Sequence, residues 1–497
     1  MSRTANHRAD GVENTGAAMS ETTLEQSSAS AAARQLQSAL GAQVFLPGTP
    51  GYEDTLARVF FPDASRRHPV CVVAPQSVED VGAVMATANA TGAPVTVRGG
   101  GLSSTCVADD AVMLDLSAHL STARPNGDRV VVAGGATVAT MLDALAPMGR
   151  VVPVGIVGHA GMGLATRGGV GYLTRSVGLT LDHLVGVELV LPSGEIVHLS
   201  DESAGEETDL WWAVRGGAPY VGVVTSAELR SHNIGPVWVD RLVVGLDALA
   251  TYVDVAPGLP RDTTMGAVLG WSPLSPDEPV LFVYTACASS GADDAAIGHA
   301  RDATSAVAAG ARSAPLYRRE SSGRYLGDLP EFAIPGQDGA EPEPIRLPQP
   351  GDGPRGSFFG KSVFTGPTLD RPLADAPADR IRAAPTPACR IDFQHTGGAL
   401  ADVDDTDTAF WGRPGEWNIP LNAIWGEADD AVECMTWARD TLRALDAYRL
   451  GVYSVELRPG FLETDDEAAA AFGVNRSRLA ALRERHDPAG ILGQLPL

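Results

Sequence analysis

Three glycine clusters are the parts of this sequence best suited to chemistry. The first is Arg98-Gly99-Gly100-Gly101-Leu102-Ser103-Ser104. The second runs Gly155-Ile156-Val157-Gly158-His159-Ala160-Gly161-Met162-Gly163 and continues to Arg167-Gly168-Gly169-Val170-Gly171. The third is Arg215-Gly216-Gly217, followed by Gly222-Val223-Val224-Thr225. A chain without Cβ atoms lets a ligand approach the backbone, and free N–H groups there bind phosphate oxygens. A dinucleotide fingerprint needs such glycines between a strand and a long helix, but Gly99–Gly101 runs into Leu-Ser-Ser-Thr-Cys. A P-loop needs a wider spacing than that of Gly356 and Gly360 before Lys361-Ser362. Cys71, Cys106, Cys287, Cys389 and Cys434 match neither a zinc site nor a disulfide framework. Lys361 is the only lysine in a chain whose other basic side chains are arginines, which marks it as a residue kept for its compact ammonium group.

The elements that must hold these loops are legible from periodicity. Val70–Ala74 is apolar and largely β-branched, as a buried strand should be. Ser77–Thr91 reads as an amphipathic helix, with Ser77 as N-cap and Glu79-Asp80 in its first turn. Pro94–Arg98 is a strand leading into the first glycine cluster. Val112–Leu116, Arg129–Ala133 and Val221–Leu229 are further strands, Thr137–Leu145 is a helix, and Val187–Leu199 is a hairpin about Pro192-Ser193-Gly194. Residues 1 to 30 read as a disordered polar tail before a helix at Ala31–Leu40. Asp328–Ser357, rich in proline and glycine, reads as a long loop.

Composition removes several function classes. The 37 basic and 61 acidic residues leave a formal charge of −24. Nucleic acid and anionic membrane surfaces are poor partners for such a chain. No apolar run reaches the ~20 residues of a membrane span, and the polar N-terminus lacks the apolar core of a signal peptide. A cytoplasmic protein is expected. The oligomeric state is left open.

With those motifs in hand, Val72–Arg230 resembles the FAD-binding domain of the vanillyl-alcohol oxidase/PCMH superfamily, most closely the berberine-bridge-enzyme-like flavoproteins. The resemblance rests on Pro75-Gln76-Ser77-Val78-Glu79-Asp80-Val81, Val97-Arg98-Gly99-Gly100-Gly101 and Gly134-Gly135-Ala136. It continues through Gly161-Met162-Gly163, Gly168-Gly169-Val170-Gly171 and Leu181-Asp182-His183-Leu184. Last come Asp209-Leu210-Trp211-Trp212-Ala213-Val214-Arg215-Gly216-Gly217 and Gly222-Val223-Val224-Thr225. A weaker likeness extends through Gln394–Gly398 and Trp417-Asn418-Ile419 to Asp487-Pro488.

The resemblance implies one FAD. Its contacts would fall on Arg98, Gly99, Gly100, Gly101, Leu102 and Ser103 in the first loop, and on Val157, Gly161, Gly163, Gly168, Gly169 and Gly171 in the second. Val223 and Thr225 would complete them. Many members tether the flavin through a histidine or a cysteine. Leu102 and Val157 occupy those places here and cannot form either bond, so a non-covalent FAD is expected. His159 and Cys106 are the remaining, weaker candidates for a tether. At the family's base position near the C-terminus this chain has Tyr453-Ser454-Val455-Glu456. Read as a strand, it puts Tyr453 and Val455 on one face and Glu456 on the other. Glu456 and Tyr453 are the expected catalytic acid or base groups. Asn418 and Asn422, on one face of a strand with Pro420, and Lys361 are the expected substrate-binding residues.

The resulting expectation is an α+β, two-domain PCMH-type fold. Residues 40–235 would bind FAD, 236–449 would form an antiparallel-sheet substrate domain, and 450–497 would return to the first domain. The expected function is an FAD-dependent oxidoreductase acting on a small-molecule secondary metabolite, with molecular oxygen able to reoxidise the flavin. The alternative is a non-redox cyclase or isomerase that keeps FAD.

Overall fold

The structure is a computed structural model that describes residues 27–288, 294–325, 355–366, 371–493 and 495–497. Residues 1–26, and all but the end of the expected 328–357 loop, lie outside these. The expected tail stops earlier than residue 30, because the first helix already spans Ser28–Leu40, with Ser27 accepting the N-cap hydrogen bond from Ser30.

The first lobe holds two sheets. One is four-stranded, in the order Val44–Phe45, Cys71–Val73, Val112–Asp115, Val95–Arg98. Its last three strands are parallel. Crossover between parallel strands needs a helix, and Val78–Thr91 supplies it. Ser77 Oγ accepts from Asp80 N while the Asp80 carboxylate accepts from Ser77 N, a complete capping box. This helix packs with Ser28–Leu40 around one core that includes Leu36, Val84 and Leu114. The other sheet is five-stranded and antiparallel, in the order Ala123–Asn126, Arg129–Ala133, Val223–Arg230, Leu184–Val190, Ile196–Ser200.

The second lobe is one eight-stranded antiparallel sheet. Its order is Tyr317–Gly323, Val237–Gly245, Ser275–Cys287, Thr263–Ser272, Arg390–His395, Trp417–Trp425, Ser357–Thr365, Arg449–Gly451. Alternation decides its two faces. Met265, Leu269, Ile391, Phe393, Ile419 and Leu421 enter a core shared with the helices Leu249–Val255 and Ala431–Leu445. Val239, Val268, Phe282 and Phe364 join the core of the first lobe. The lobes are therefore packed on each other through one continuous apolar layer.

Near the C-terminus, Gly451 still pairs with Phe364 in the eight-stranded sheet. Tyr220 Oη then donates to the carbonyl of Pro496. The strand read at 453–457 is corrected: Ser454–Glu456 is a single 3-10 turn. The ladder ends because the Ser362 hydroxyl accepts from Tyr453 N, and Glu456 N closes the turn on Tyr453 O.

Candidate functional site

A cavity of about 420 Å³ lies between the lobes, within the size range of cofactor and small-molecule sites. Three walls define it. The glycine loops supply Gly99–Ser103 on one side, and Val157, Gly161, Gly163 and Arg167 on another. The eight-stranded sheet supplies Arg390, Asp392, Gln394, Asn418, Pro420 and Asn422, and the C-terminal turn supplies Tyr453, Glu456 and Arg458.

The two glycine loops meet backbone to backbone. A Cβ on Gly100 would overlap the carbonyl oxygen of His159, and one on Gly161 would stand 2.5 Å from the amide nitrogen of Gly100. Only paired glycines allow that approach, and the result is a cradle of main chain rather than side chain.

The polar wall follows from strand parity. In Arg390–His395, Ile391 and Phe393 go to the core, so Arg390, Asp392 and Gln394 face the cavity. Asn418 Nδ2 donates to Gln394 Oε1 at 2.7 Å, and Asn422 Nδ2 donates to Asp392 Oδ2 at 3.0 Å. Burial pushes the Asp392 carboxyl above its ordinary pKa, against the pull of Arg390 and the Asn422 hydrogen bond.

Glu456 is enclosed apart from the surface it gives to the cavity. Burial raises its pKa, while Arg458, Arg167 and Lys361 hold it down. Arg458 is itself fixed: it donates to Ser104 Oγ at 2.8 Å and lies over the rings of Phe61 and Phe358, which stack at 5.0 Å across the lobe boundary. Tyr453 is placed differently. Its hydroxyl oxygen accepts from Gly169 N at 2.8 Å and Val170 N at 3.4 Å. Burial pushes its pKa up to about 12, so it stays a phenol and has no free lone pair with which to take a proton.

Comparison with known proteins agrees with this architecture. The FAD binding domain family matches residues 69–200. BBE-like 1 of Physcomitrella patens superposes with a TM-score of 0.76 at 20% identity, covering 94% of this chain and 99% of that one. This chain carries an FAD-binding domain on a berberine-bridge-enzyme-like fold. An FAD-linked oxidoreductase of Dictyostelium discoideum is 26% identical to this chain over 347 residues, 68% of each. The FAD-linked oxidoreductase penO of Penicillium crustosum is 32% identical over 189 residues, 37% of this chain and 41% of that relative. The match thus spans less than half the length of penO.

FAD fits the cavity of this chain. The main-chain cradle at Gly100 and Gly161 is open to it, and Arg167 presents a buried guanidinium with Nε and Nη2 unpartnered among the described residues. The Leu102 and Val157 side chains line the cavity without filling it.

Several expected contacts stand elsewhere. Arg98 does not line the cavity; its Nη1 donates to both oxygens of Asp115, at 3.0 and 2.9 Å, in a buried ion pair. Gly168, Gly169 and Gly171 lie behind the wall, against Tyr453, Thr180 and the Val154 carbonyl. Thr225 donates to Glu188 Oε1 at 2.7 Å and leaves the cavity to Val223 and Val224. Lys361 is corrected outright. It shares the helix-covered face of its strand with Phe359 and Val363, and its Nζ reaches Glu467 at 2.7 Å and Glu463 at 3.3 Å. Of the two weaker tether candidates, His159 is not on the cavity wall. Cys106 is, but burial pushes its thiol up to about 12.

The sequence reading missed Arg390, Asp392, Gln394, Arg458 and Arg167 as cavity residues. The first three carried a usable signal, since Arg-Ile-Asp-Phe-Gln alternates polar and apolar. Arg167 carried only its place beside the second glycine cluster, and Arg458 carried none.

Proposed function

We propose that this protein is an FAD-dependent oxidoreductase that holds its FAD non-covalently and oxidises a small-molecule secondary metabolite. One observation carries the reading: a single cavity joins the glycine cradle to Glu456 and to the amide-rich wall. FAD, when bound, supplies a two-electron acceptor. The protein's part is to bind, orient and move a proton. Asn418, Asn422, Gln394 and Asp392 present hydrogen-bonding groups that orient a polar substrate. Glu456, ionised, accepts a proton from it, and its raised pKa brings that carboxylate nearer to neutral pH, where a base is most useful. Arg458 stays close enough to keep the ionised form accessible. Tyr453 holds the glycine loop in place and is a positioning residue. The names of penO and the Dictyostelium relative, both FAD-linked oxidoreductases, support the reaction class. Leu102 and Val157, which offer no nucleophile, support the non-covalent cofactor.

A spectrum of the purified protein before and after acid denaturation tests the cofactor. A yellow protein that releases all its FAD into the supernatant is expected, and colour retained on the precipitate would show a tether. Anaerobic titration with candidate metabolites then tests the chemistry. Bleaching of the flavin band is expected, whereas turnover without bleaching would favour the non-redox cyclase.

A further inference from the structure

Among the most buried arginines are Arg98, Arg167, Arg175 and Arg413, each at most 5% exposed. Three of them meet a carboxylate, Arg98 with Asp115, Arg175 with Glu416 and Arg413 with Asp182. The fourth, Arg167, has no such partner among the described residues, and its Nε and Nη2 are unsatisfied. It is also the one of the four that lines the cavity. A guanidinium keeps its proton in a protein, and an isolated charge away from water is costly unless something compensates it. The ionisable groups whose charge reaches Arg167 are Tyr220, Tyr453 and Glu456. The two phenols are neutral, and Glu456 is needed as a base. Glu456 lies against Gly360, whose strand partner is Asn422 of the polar wall. Arg167 thus shares one cavity with Glu456 and the polar wall.

We propose that Arg167 is the counter-charge for the negative charge that the flavin ring gains when it is reduced. This rests on the oxidoreductase reading above. Oxidation of a substrate CH–OH to C=O sends the hydroxyl proton to Glu456 and a hydride, two electrons with one proton, to the flavin. The ring then carries one more negative charge until a second proton reaches it. A fixed guanidinium beside the ring favours that state and makes the ring easier to reduce.

The test uses FAD-loaded wild type, Arg167→Met, Arg167→Gln and Arg167→Lys. The readouts are the midpoint potential, the affinity for sulfite, which adds to flavins and leaves negative charge on the ring, and the affinity for FAD. For Arg167→Met and Arg167→Gln, a tenfold loss in the reduction equilibrium is expected, about 30 mV for a two-electron couple. Sulfite binding should weaken in parallel, with FAD affinity little changed, and Arg167→Lys should keep most of both properties. An unchanged potential and sulfite affinity in the FAD-loaded neutral variants would overturn the proposal. So would loss of FAD itself, which would put the guanidinium on the diphosphate, or a raised KM for an acidic substrate at unchanged potential. A wild type that takes up no FAD would instead sink the oxidoreductase reading.

Discussion

Glu456 Oε2 lies so close to the Cα of Gly360 that a Cβ at residue 360 would overlap it. The strand Ser357–Thr365 thus makes room, by one missing methyl group, for the carboxyl proposed as base. Gly360→Ala should displace that carboxyl while the nine-residue strand keeps its pairing. We expect kcat to fall by roughly 10²-fold, the lower end of what a positioned proton acceptor contributes. Steady-state kinetics with a circular dichroism spectrum checks this, and unchanged kcat in the folded variant removes Glu456 from the mechanism.

The pH dependence follows from the same group. Burial raises Glu456 above its ordinary value of 4.5. A base must be ionised, so kcat should fall as pH is lowered through that raised pKa, with the acid limb lying above 4.5. Glu456→Gln should abolish that limb and most of the turnover. Stability moves the other way. A carboxyl raised in the fold favours folding when protonated, and that contribution is lost as pH rises through the folded pKa. Glu456→Gln should therefore melt higher than wild type at pH 8, and close to it at pH 4. Parallel melting curves at the two pH values decide this.

Gly100 tests the cradle. Its missing side chain lets the Gly99–Ser103 loop touch His159 and Gly161. Gly100→Ala forces the two loops apart, an overpacking cost of about 1–3 kcal/mol set directly on the proposed cofactor site. FAD affinity should fall by about 10- to 100-fold. Titration of the apoprotein with FAD measures it, and wild-type affinity would mean the cofactor does not cross these loops.

Lys361 separates a structural ion pair from a substrate contact. Lys361→Met leaves Glu467 buried without its partner and should cost about 3–5 kcal/mol. The double change Lys361→Met with Glu467→Leu should recover most of that loss, because an apolar pair of similar volume is commonly neutral there. KM should be unchanged in the double variant. A raised KM would return Lys361 to the binding site.

Much of the fold could be read from local pattern. The helix Val78–Thr91 was marked by Ser77 and its acidic first turn, because a capping box is satisfied within a few residues. The shared face of Asn418, Pro420 and Asn422 follows from the two-residue period of any strand. The alternation at Arg390–Gln394 is equally local. Lys361 shows where motif and geometry part: its neighbours Phe359 and Val363 set its face, and that face meets a helix far along the chain. The turn at Ser454–Glu456 was also outside local pattern, since the Ser362 hydroxyl, from another strand, takes the hydrogen bond that would have extended the ladder.

The sequence alone thus determined the glycine loops and the alternation of the strands, because backbone freedom and strand period are local properties. Only the tertiary structure decided which charges face the cavity. Arg98 and Arg167 look alike in sequence, each beside a glycine cluster. Folding gives one a carboxylate from a neighbouring strand and leaves the other at the wall without one among the described residues, and the cost of burying charge depends on that distant partner.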